Sequence, residues 1–350
     1  MGRRRGDDAV VSTLVDEDTF VDWLRDHGVP AGDDTAFLAA GEHRAGLVLT
    51  TDSQLESVHF PEDLDPWLIA QRLVRVNLSD LSAAGSRPRW ALCNLNAPPD
   101  FDRERFFAGL LADCRRWGLS LIGGDTSSAR QVSSTLTAIG DLPQGRRPLT
   151  RDRARPGDRL LVAGSLGEAA AGLLLQQAGA RCHRGAVELP EGLPQGLAAA
   201  ARRAVRRHRL PVPDVELGLE LARPLSSGRT GRRGPAAIDL SDGLLKDAHR
   251  LAGASGVRLR IDLDRLPVAA SLRRLAQYLE VTPLHHALSG GEDYVLLFSL
   301  PPEHPGATAG QEIGEVCVGS GLELVRGGRD VTTEVLDQLP RLGWDHLADG

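Results

Sequence analysis

The sequence predicts an α/β protein of two units, and three observations carry that prediction. Between residues 45 and 139, apolar runs of strand length alternate with stretches at helical spacing. From Leu142 to Gly157 the chain is rich in Pro, Gly and Arg and loses all periodicity. Strand and helix patterns resume at Asp158 and run to the tail. A chain of 350 residues is long enough for two cores, and the division is expected as residues 1–145 and 146–350.

In the first unit, residues 14–28 read as a short amphipathic helix with Phe20 and Leu24 on its apolar side. Ala45 to Thr51 reads as a buried strand that delivers Asp52 at its end. Pro66 to Ser82 carries Leu68, Ile69, Leu73, Val76, Leu78 and Leu81 at helical spacing, with Asp65 as cap and Pro66 in the first turn. Arg89 to Leu95 is a second strand, and Phe101 to Gly118 a helix with Leu110, Leu111 and Cys114 inward. Leu119 to Ile122 is a short apolar run leading into Gly123-Gly124-Asp125, and Val132 to Ile139 alternates as a strand does. Open α/β folds place ligand sites at such strand ends.

The second unit opens with a strand ending at Gly164, followed by a helix over 167–178. Ala198 to Arg209 is helical and is stopped by Pro211 and Pro213. A strand at 236–240, a helix at 243–254, a strand at 257–261 and a helix near 269–279 follow. Tyr294 to Leu300 is a strong strand, and two short ones lie near 312–318 and 321–325.

Composition excludes several classes of function. A net charge of −6 leaves no body-wide basic face for nucleic acid. No run of 18 apolar residues is present, so no membrane span is expected. The basic start at Arg3-Arg4-Arg5 lacks the apolar run of a secretory signal. Cys93, Cys114, Cys182 and Cys317 match neither a zinc pattern nor a CxxC pair, which points to a reducing cytoplasm. Lys246 is the single lysine among 41 basic residues.

The chemistry lies in the aspartates. Asp33 and Asp34 sit in AGDDTAF, Asp52 in TTDSQ, Asp80 in NLSDLSAAG, Asp125 in GGDTSS, and Asp239 and Asp242 in IDLSDGLLKD. Each alone reads as a turn or cap residue. Together they stand beside Gly, Ser or Thr at the edges of apolar segments, where unpaired carboxylates are costly. Carboxylates sharing one site repel one another, and a divalent cation removes that penalty. Magnesium takes oxygen ligands and often completes its shell with substrate phosphates, which lets an acidic protein bind a polyanion. No GxxxxGK[ST], protein-kinase motif set, GxGxxG, GxSxG or HExxH is present.

The segments GDDTAF (32–37), TTDSQLESVHF (50–60), NLSDLSAAG (77–85), IGGDT (122–126), RARPGD (153–158), IDLSDGLLKD (238–247) and SGGEDYVLLF (289–298) together resemble the ordered motifs of the thiamine-monophosphate kinase family. That family belongs to the aminoimidazole ribonucleotide synthetase superfamily. The resemblance runs from about residue 16 to GWDH (343–346). It implies a two-domain fold, with an N-terminal α/β domain built on a mixed sheet and a C-terminal α/β domain. It implies ATP and several Mg2+ ions, phosphorylation of thiamine monophosphate to thiamine diphosphate, and a homodimer joined through the N-terminal domains. Asp33, Thr50, Thr51, Asp52, Asp80, Asp125, Asp239 and Asp242 would form the metal shell, with Asp80, Asp125 and Asp242 central to catalysis. Gly124, Asp125, Arg151 and Ser241 would touch the nucleotide, and His59, Glu292 and Trp344 the thiamine phosphate. The alternatives are a divergent superfamily member acting on another metabolite and a nucleotide-binding regulator without turnover. Departures from the family pattern include Ser57 for glycine, Asp214 for arginine, Val295 for glutamate, Ser127-Ser128-Ala129-Arg130 for a basic segment, and Phe107 or Ala108 for a nucleotide-side tyrosine.

Overall fold

The computed structural model describes residues 36–38, 46–143, 146–183, 186–223, 235–302, 304 and 310–345. The helix expected at 14–28 and the candidate ligand Asp33 lie outside these residues. Strands β1 (Ala36–Leu38), β2 (Leu47–Leu55), β3 (Arg87–Ala97), β4 (Ser120–Ser128) and β5 (Ser133–Asp141) form one sheet. Its order is β1-β2-β5-β3-β4, antiparallel except between β3 and β4. Helices α1 (Pro66–Ala83) and α2 (Arg103–Trp117) cover one face. That face buries Val48, Ala91, Cys93, Leu95, Leu136 and Ala138 in one core with Ile69 and Leu73 of α1 and Phe106 and Leu110 of α2.

The remaining strands are β6 (Arg159–Val162), the separate hairpin β7 (Arg181–His183) and β8 (Ala186–Glu188), then β9 (Ala237–Asp239), β10 (Arg258–Asp262), β11 (Leu296–Leu300), β12 (Gln311–Cys317), β13 (Gly321–Arg326) and β14 (Arg329–Asp330). Seven of them form the second sheet in the order β14-β13-β10-β12-β6-β11-β9, parallel only between β10 and β13. The accompanying helices are α3 (Glu168–Gln177), α4 (Ala198–Arg209), α5 (Val215–Leu221), α6 (Leu244–Ser255), α7 (Ala270–Leu275), α8 (Pro283–Ser289) and α9 (Thr332–Leu336). Strands β6 and β11 are buried on both faces. Leu160, Val162 and Leu297 join the core under α6, while Leu161, Leu296, Phe298 and Leu300 pack toward Ala83, Leu217 and Leu221. No helix among the described residues is long and apolar enough to cross a membrane.

Helix α1 joins the two halves. Asp65 accepts from the Trp67 amide at 3.1 Å and Pro66 occupies the first turn, as the sequence predicts. A helix apolar on one stripe needs one covered face. This one is buried nearly all round, because the first sheet takes one side while β9 and α5 take another. Its buried polar residues, Arg72, Arg75, Asn77, Ser79 and Ser82, therefore bond to other protein groups.

The structure corrects several expectations. β2 does not end before Asp52 but continues to Leu55. β4 runs on through Gly-Gly-Asp-Thr-Ser-Ser, a string of weak strand formers held by pairing with β3. Gly124 is needed there: a Cβ would stand 1.8 Å from the Cys93 carbonyl oxygen. The β7–β8 hairpin and helices α5 and α8 leave no legible trace in the local pattern, since all are short.

Candidate active site

Alternation along β2 sorts the TTDSQ motif onto two faces. Thr50, Asp52 and Gln54 point toward α1. The Thr50 hydroxyl donates to Asp80 Oδ2 at 2.5 Å, and the Asp52 amide donates to Asn77 Oδ1 at 3.1 Å. Thr51 points the other way, with its hydroxyl 3.2 Å from the Leu136 carbonyl oxygen and 3.2 Å from the Thr137 hydroxyl. The Thr51 side chain therefore does not share the Asp52 side of the sheet.

The second half supplies the opposite wall. Asp239 closes β9, is buried, and accepts from the Ser79 hydroxyl at 2.7 Å. The loop that follows is shaped by Asp247, whose Oδ2 accepts from the Asp242 amide at 3.0 Å and the Gly243 amide at 3.2 Å. Burial, then the charge of Asp242, pushes the Asp247 carboxyl up. Arg250 donates to Asp242 at 2.6 Å and Lys246 lies 3.4 Å from it. The lone lysine also donates to the Trp344 carbonyl, and the Trp344 amide donates to the Asp242 carbonyl at 3.0 Å. Lys246 thus fastens the tail that carries Trp344. The Arg341 guanidinium lies 4.8 Å over the indole ring.

Glu292 enters on a loop with left-handed backbone at Glu292 (φ 61°) and Tyr294 (φ 46°). Such conformations cost on the order of 1–3 kcal/mol each and recur at functional sites. Main-chain bonds hold them here: the Glu292 amide donates to the Ser241 carbonyl at 2.6 Å and the Tyr294 amide to that of Leu240 at 2.8 Å. Arg72 donates to Glu292, to the His208 carbonyl and, at 2.9 Å, to Gln54 Oε1. Burial alone would raise the Glu292 carboxyl, but the Arg72 charge, with help from His208, holds it down at about 2. His208 Nδ1 stands 2.7 Å from Glu292 Oε2 without the alignment of a hydrogen bond. Burial lowers the His208 pKa, so Arg72 is the dominant cation at neutral pH.

These elements enclose a cleft of about 320 Å³. Asp52, Asp80, Asp239 and Asp242 line it, together with Arg151 and Ser241, and with His59, Glu292 and Trp344. His59 is oriented by its own turn, since Nδ1 accepts from the Leu55 amide at 3.1 Å. Arg250 and Arg341 are among the lining residues that the sequence does not single out. Arg250 is traceable, because it lies eight residues after Asp242 and three after Asp247 on a helical face. Arg341 is not, because its place depends on how the tail folds back.

Gly124 and Asp125 do not line this cleft. The register puts Gly124 in one row with Cys93, Leu136 and Asp52, yet three strand spacings from Asp52, which is about 14 Å. Asp125 is in line with Asn94, Thr135 and Ser53, on the open face with Thr51, and accepts from the Ser127 hydroxyl at 3.2 Å. Among the described residues, no three His, Cys, Asp or Glu side chains gather closely enough to hold a metal unaided.

Comparison with known proteins identifies the family and the fold. The family described as AIR synthase related protein, N-terminal domain, matches residues 32–142, and its C-terminal domain counterpart matches residues 155–325. Thiamine-monophosphate kinase of Salmonella typhimurium is 35% identical over 331 residues, covering 91% of each chain. That of Escherichia coli K12 is 36% identical over 330 residues, with the same coverage. The chain belongs to the thiamine-monophosphate kinase family. Among solved structures, AaThiL complexed with AMPPCP and TMP superposes with a TM-score of 0.78 at 29% identity, covering 95% of this chain and 97% of that one. Thiamine monophosphate kinase from Aquifex aeolicus gives 0.73 at 29% identity, covering 89% and 97%. The hydrogenase maturation protein HypE in complex with ATP, at 21% identity and a TM-score of 0.60, shares the fold.

Two departures from the thiamine-monophosphate kinase pattern now have a structural reading. Ser57 keeps φ at 66°, the left-handed conformation that glycine adopts without strain. Val295 is buried, and its Cγ1 fills the space above Gly164, where a Cβ would meet it at 2.7 Å.

Proposed function

We propose that this protein transfers the terminal phosphoryl group of ATP to thiamine monophosphate, forming thiamine diphosphate. The observation that carries this reading is the shared cleft: carboxylates from both halves of the chain meet Arg151, His59, Glu292 and Trp344 around one space. The family relationship supports it over a regulator without turnover.

The donor set fits magnesium. Asp52, Asp80, Asp239 and Asp242 offer hard oxygen atoms, no cysteine lines the cleft, and Thr50 and Ser79 orient two of the carboxylates. Bound magnesium supplies charge neutralisation between carboxylates and phosphates and helps hold the reacting groups in line. Arg151 and Ser241 both line the cleft, and the Arg151 guanidinium would grip a nucleotide phosphate. The indole of Trp344 offers a flat face to the acceptor's heterocycle, held rigid by Lys246 and Arg341. Glu292, kept anionic by Arg72, suits the positive charge of a thiazolium. No dedicated base is required, because an acceptor phosphate oxygen is already ionised near neutral pH.

A homodimer formed on the open face of the first sheet completes the reading. That face leaves Trp90, Leu92 and Ile122 exposed by 39%, 39% and 57%, more apolar surface than an isolated sheet edge needs. The site of action is then the cytoplasm, in keeping with four free cysteines.

The direct test is to incubate the protein with ATP, magnesium and thiamine monophosphate and to follow thiamine diphosphate by mass. Formation that stops on chelation supports the reading. A folded protein giving no diphosphate overturns it.

A further inference from the structure

A second cavity, of about 630 Å³, shares no lining residue with the acidic cleft. Arg75 of α1 and Arg203, Arg206, Arg207 and Arg209 of α4 line it. Two of these cations are matched: Arg75 pairs with Asp113 at 2.5 Å and Arg203 with Glu168 at 2.7 Å. Arg207 donates to a neutral acceptor, the Asp293 carbonyl, at 2.6 Å. Arg206 is exposed.

Arg209 is the unusual member. It is 3% exposed, and its Nη1 is buried without a hydrogen-bond partner among the described residues. Burial, then the nearby charge of Arg72, pulls its pKa down to about 10. A buried cation without a paired counter-charge is among the costliest arrangements in a folded chain. Glu188 shares only a smaller adjoining pocket with Arg209 and forms no ion pair with it among the described residues, and the other acidic groups nearby are engaged elsewhere. Glu292 pairs with Arg72, and Asp63 with Arg181 at 3.0 Å. Glu168 is taken by Arg203 and the Ser271 hydroxyl, and Asp214 caps α5 by accepting from the Leu217 amide at 3.0 Å.

We propose that this cavity binds a small phosphate-bearing anion, with Arg209 as buried anchor and Arg206 and Arg207 closing over it. Three guanidiniums outside any carboxylate ion pair among the described residues suit an anion that has several oxygens and more than one charge. A single carboxylate would leave two of them unanswered. Inorganic phosphate, diphosphate and the phosphates of a nucleotide share this chemistry. The site needs no metal, which separates it from the acidic cleft and from the phosphoryl transfer proposed there.

The test is calorimetric titration of the full chain with inorganic phosphate, diphosphate and ADP in turn, all in EDTA. Arg151, Arg250 and Arg341 also line the acidic cleft, so saturable binding is assigned to the arginine cavity by its loss in variants of that cavity alone. The tightest of the three identifies the source of the phosphate. Arg209→Leu and Arg206→Glu are each expected to weaken binding at least tenfold. Arg209→Leu is also expected to raise the Tm of the anion-free protein by a few degrees, since it removes an unmatched buried charge. Absence of saturable binding by all three anions overturns the proposal, as does affinity within twofold of wild type in either folded variant. Arg206 is on the surface, so its variant remains informative if Arg209→Leu fails to fold.

Discussion

The Ser79 hydroxyl donates to Asp239 Oδ2 across 2.7 Å, joining a helix of the first half to a strand end of the second behind the wall of the acidic cleft that Asp239 lines. Both residues are buried. Ser79→Ala is expected to cost about 1–3 kcal/mol, the penalty for taking a donor from a buried charged acceptor. Urea unfolding measures the loss. Because the freed carboxylate also shifts, the magnesium concentration needed for half-maximal activity is expected to rise several-fold.

Asp80 lines the cleft and accepts from Thr50 at 2.5 Å. Asp80→Asn keeps the size and removes the charge. Thiamine diphosphate formation is expected to fall by a factor on the order of 100 or more, the loss of electrostatic stabilisation typical of such sites. The Tm is expected to stay within a few degrees of wild type. Turnover within threefold of wild type would exclude Asp80 from the metal shell.

Arg72 holds Glu292 while reaching His208 and Gln54. Arg72→Met would leave a carboxylate without its main cation. Loss of one partner from a buried pair costs about 3–5 kcal/mol. The Glu292 side chain keeps 25% exposure toward the cleft, which favours the lower end. Adding Glu292→Gln is expected to restore much of the stability. A double variant no more stable than Arg72→Met alone would show that Arg72 acts through packing instead.

The same pair sets a pH dependence. The Glu292 carboxyl titrates at about 2 in the folded chain against an ordinary 4.5. A depressed carboxyl stabilises fully above its unfolded value, and that stability is lost as pH falls from about 4.5 toward 2. Asp293 works in the opposite sense. Burial raises its carboxyl to about 6 despite the Gly167 amide at 2.6 Å, so its contribution declines as pH rises from about 4 through 6. Unfolding free energies measured over a range of about pH 2 to 8 are expected to peak near pH 4–5 from these two groups. The acid-side fall is expected to be shallower in Glu292→Gln, and the fall above about pH 4 shallower in Asp293→Asn.

Ser57 holds φ at 66° on an exposed turn. Left-handed backbone costs an L-residue about 1–2 kcal/mol, and glycine gives back part of that as unfolded-state entropy. Ser57→Gly is expected to raise stability by about 0.5–1 kcal/mol in urea unfolding, with little change in turnover. A destabilised variant would mean that the serine side chain supports the His59 turn.

The sequence by itself determined the motif aspartates and the main helices, because these rest on local periodicity and capping; it put Asp52 and Asp125 at strand ends, whereas both lie within strands. Asp65 at the start of α1 and the helix over 198–209 are read from neighbours within a few positions. Only the tertiary structure decided which of those residues meet. Thr50 and Asp52 face Asp80 while Thr51 and Asp125 face away, and that sorting follows from register between strands distant in sequence. Arg72 reaching Glu292, 220 positions on, is likewise set by the packing of two sheets against one helix. A period of two says which residues alternate along a strand; only long-range pairing says which face is turned to the cleft.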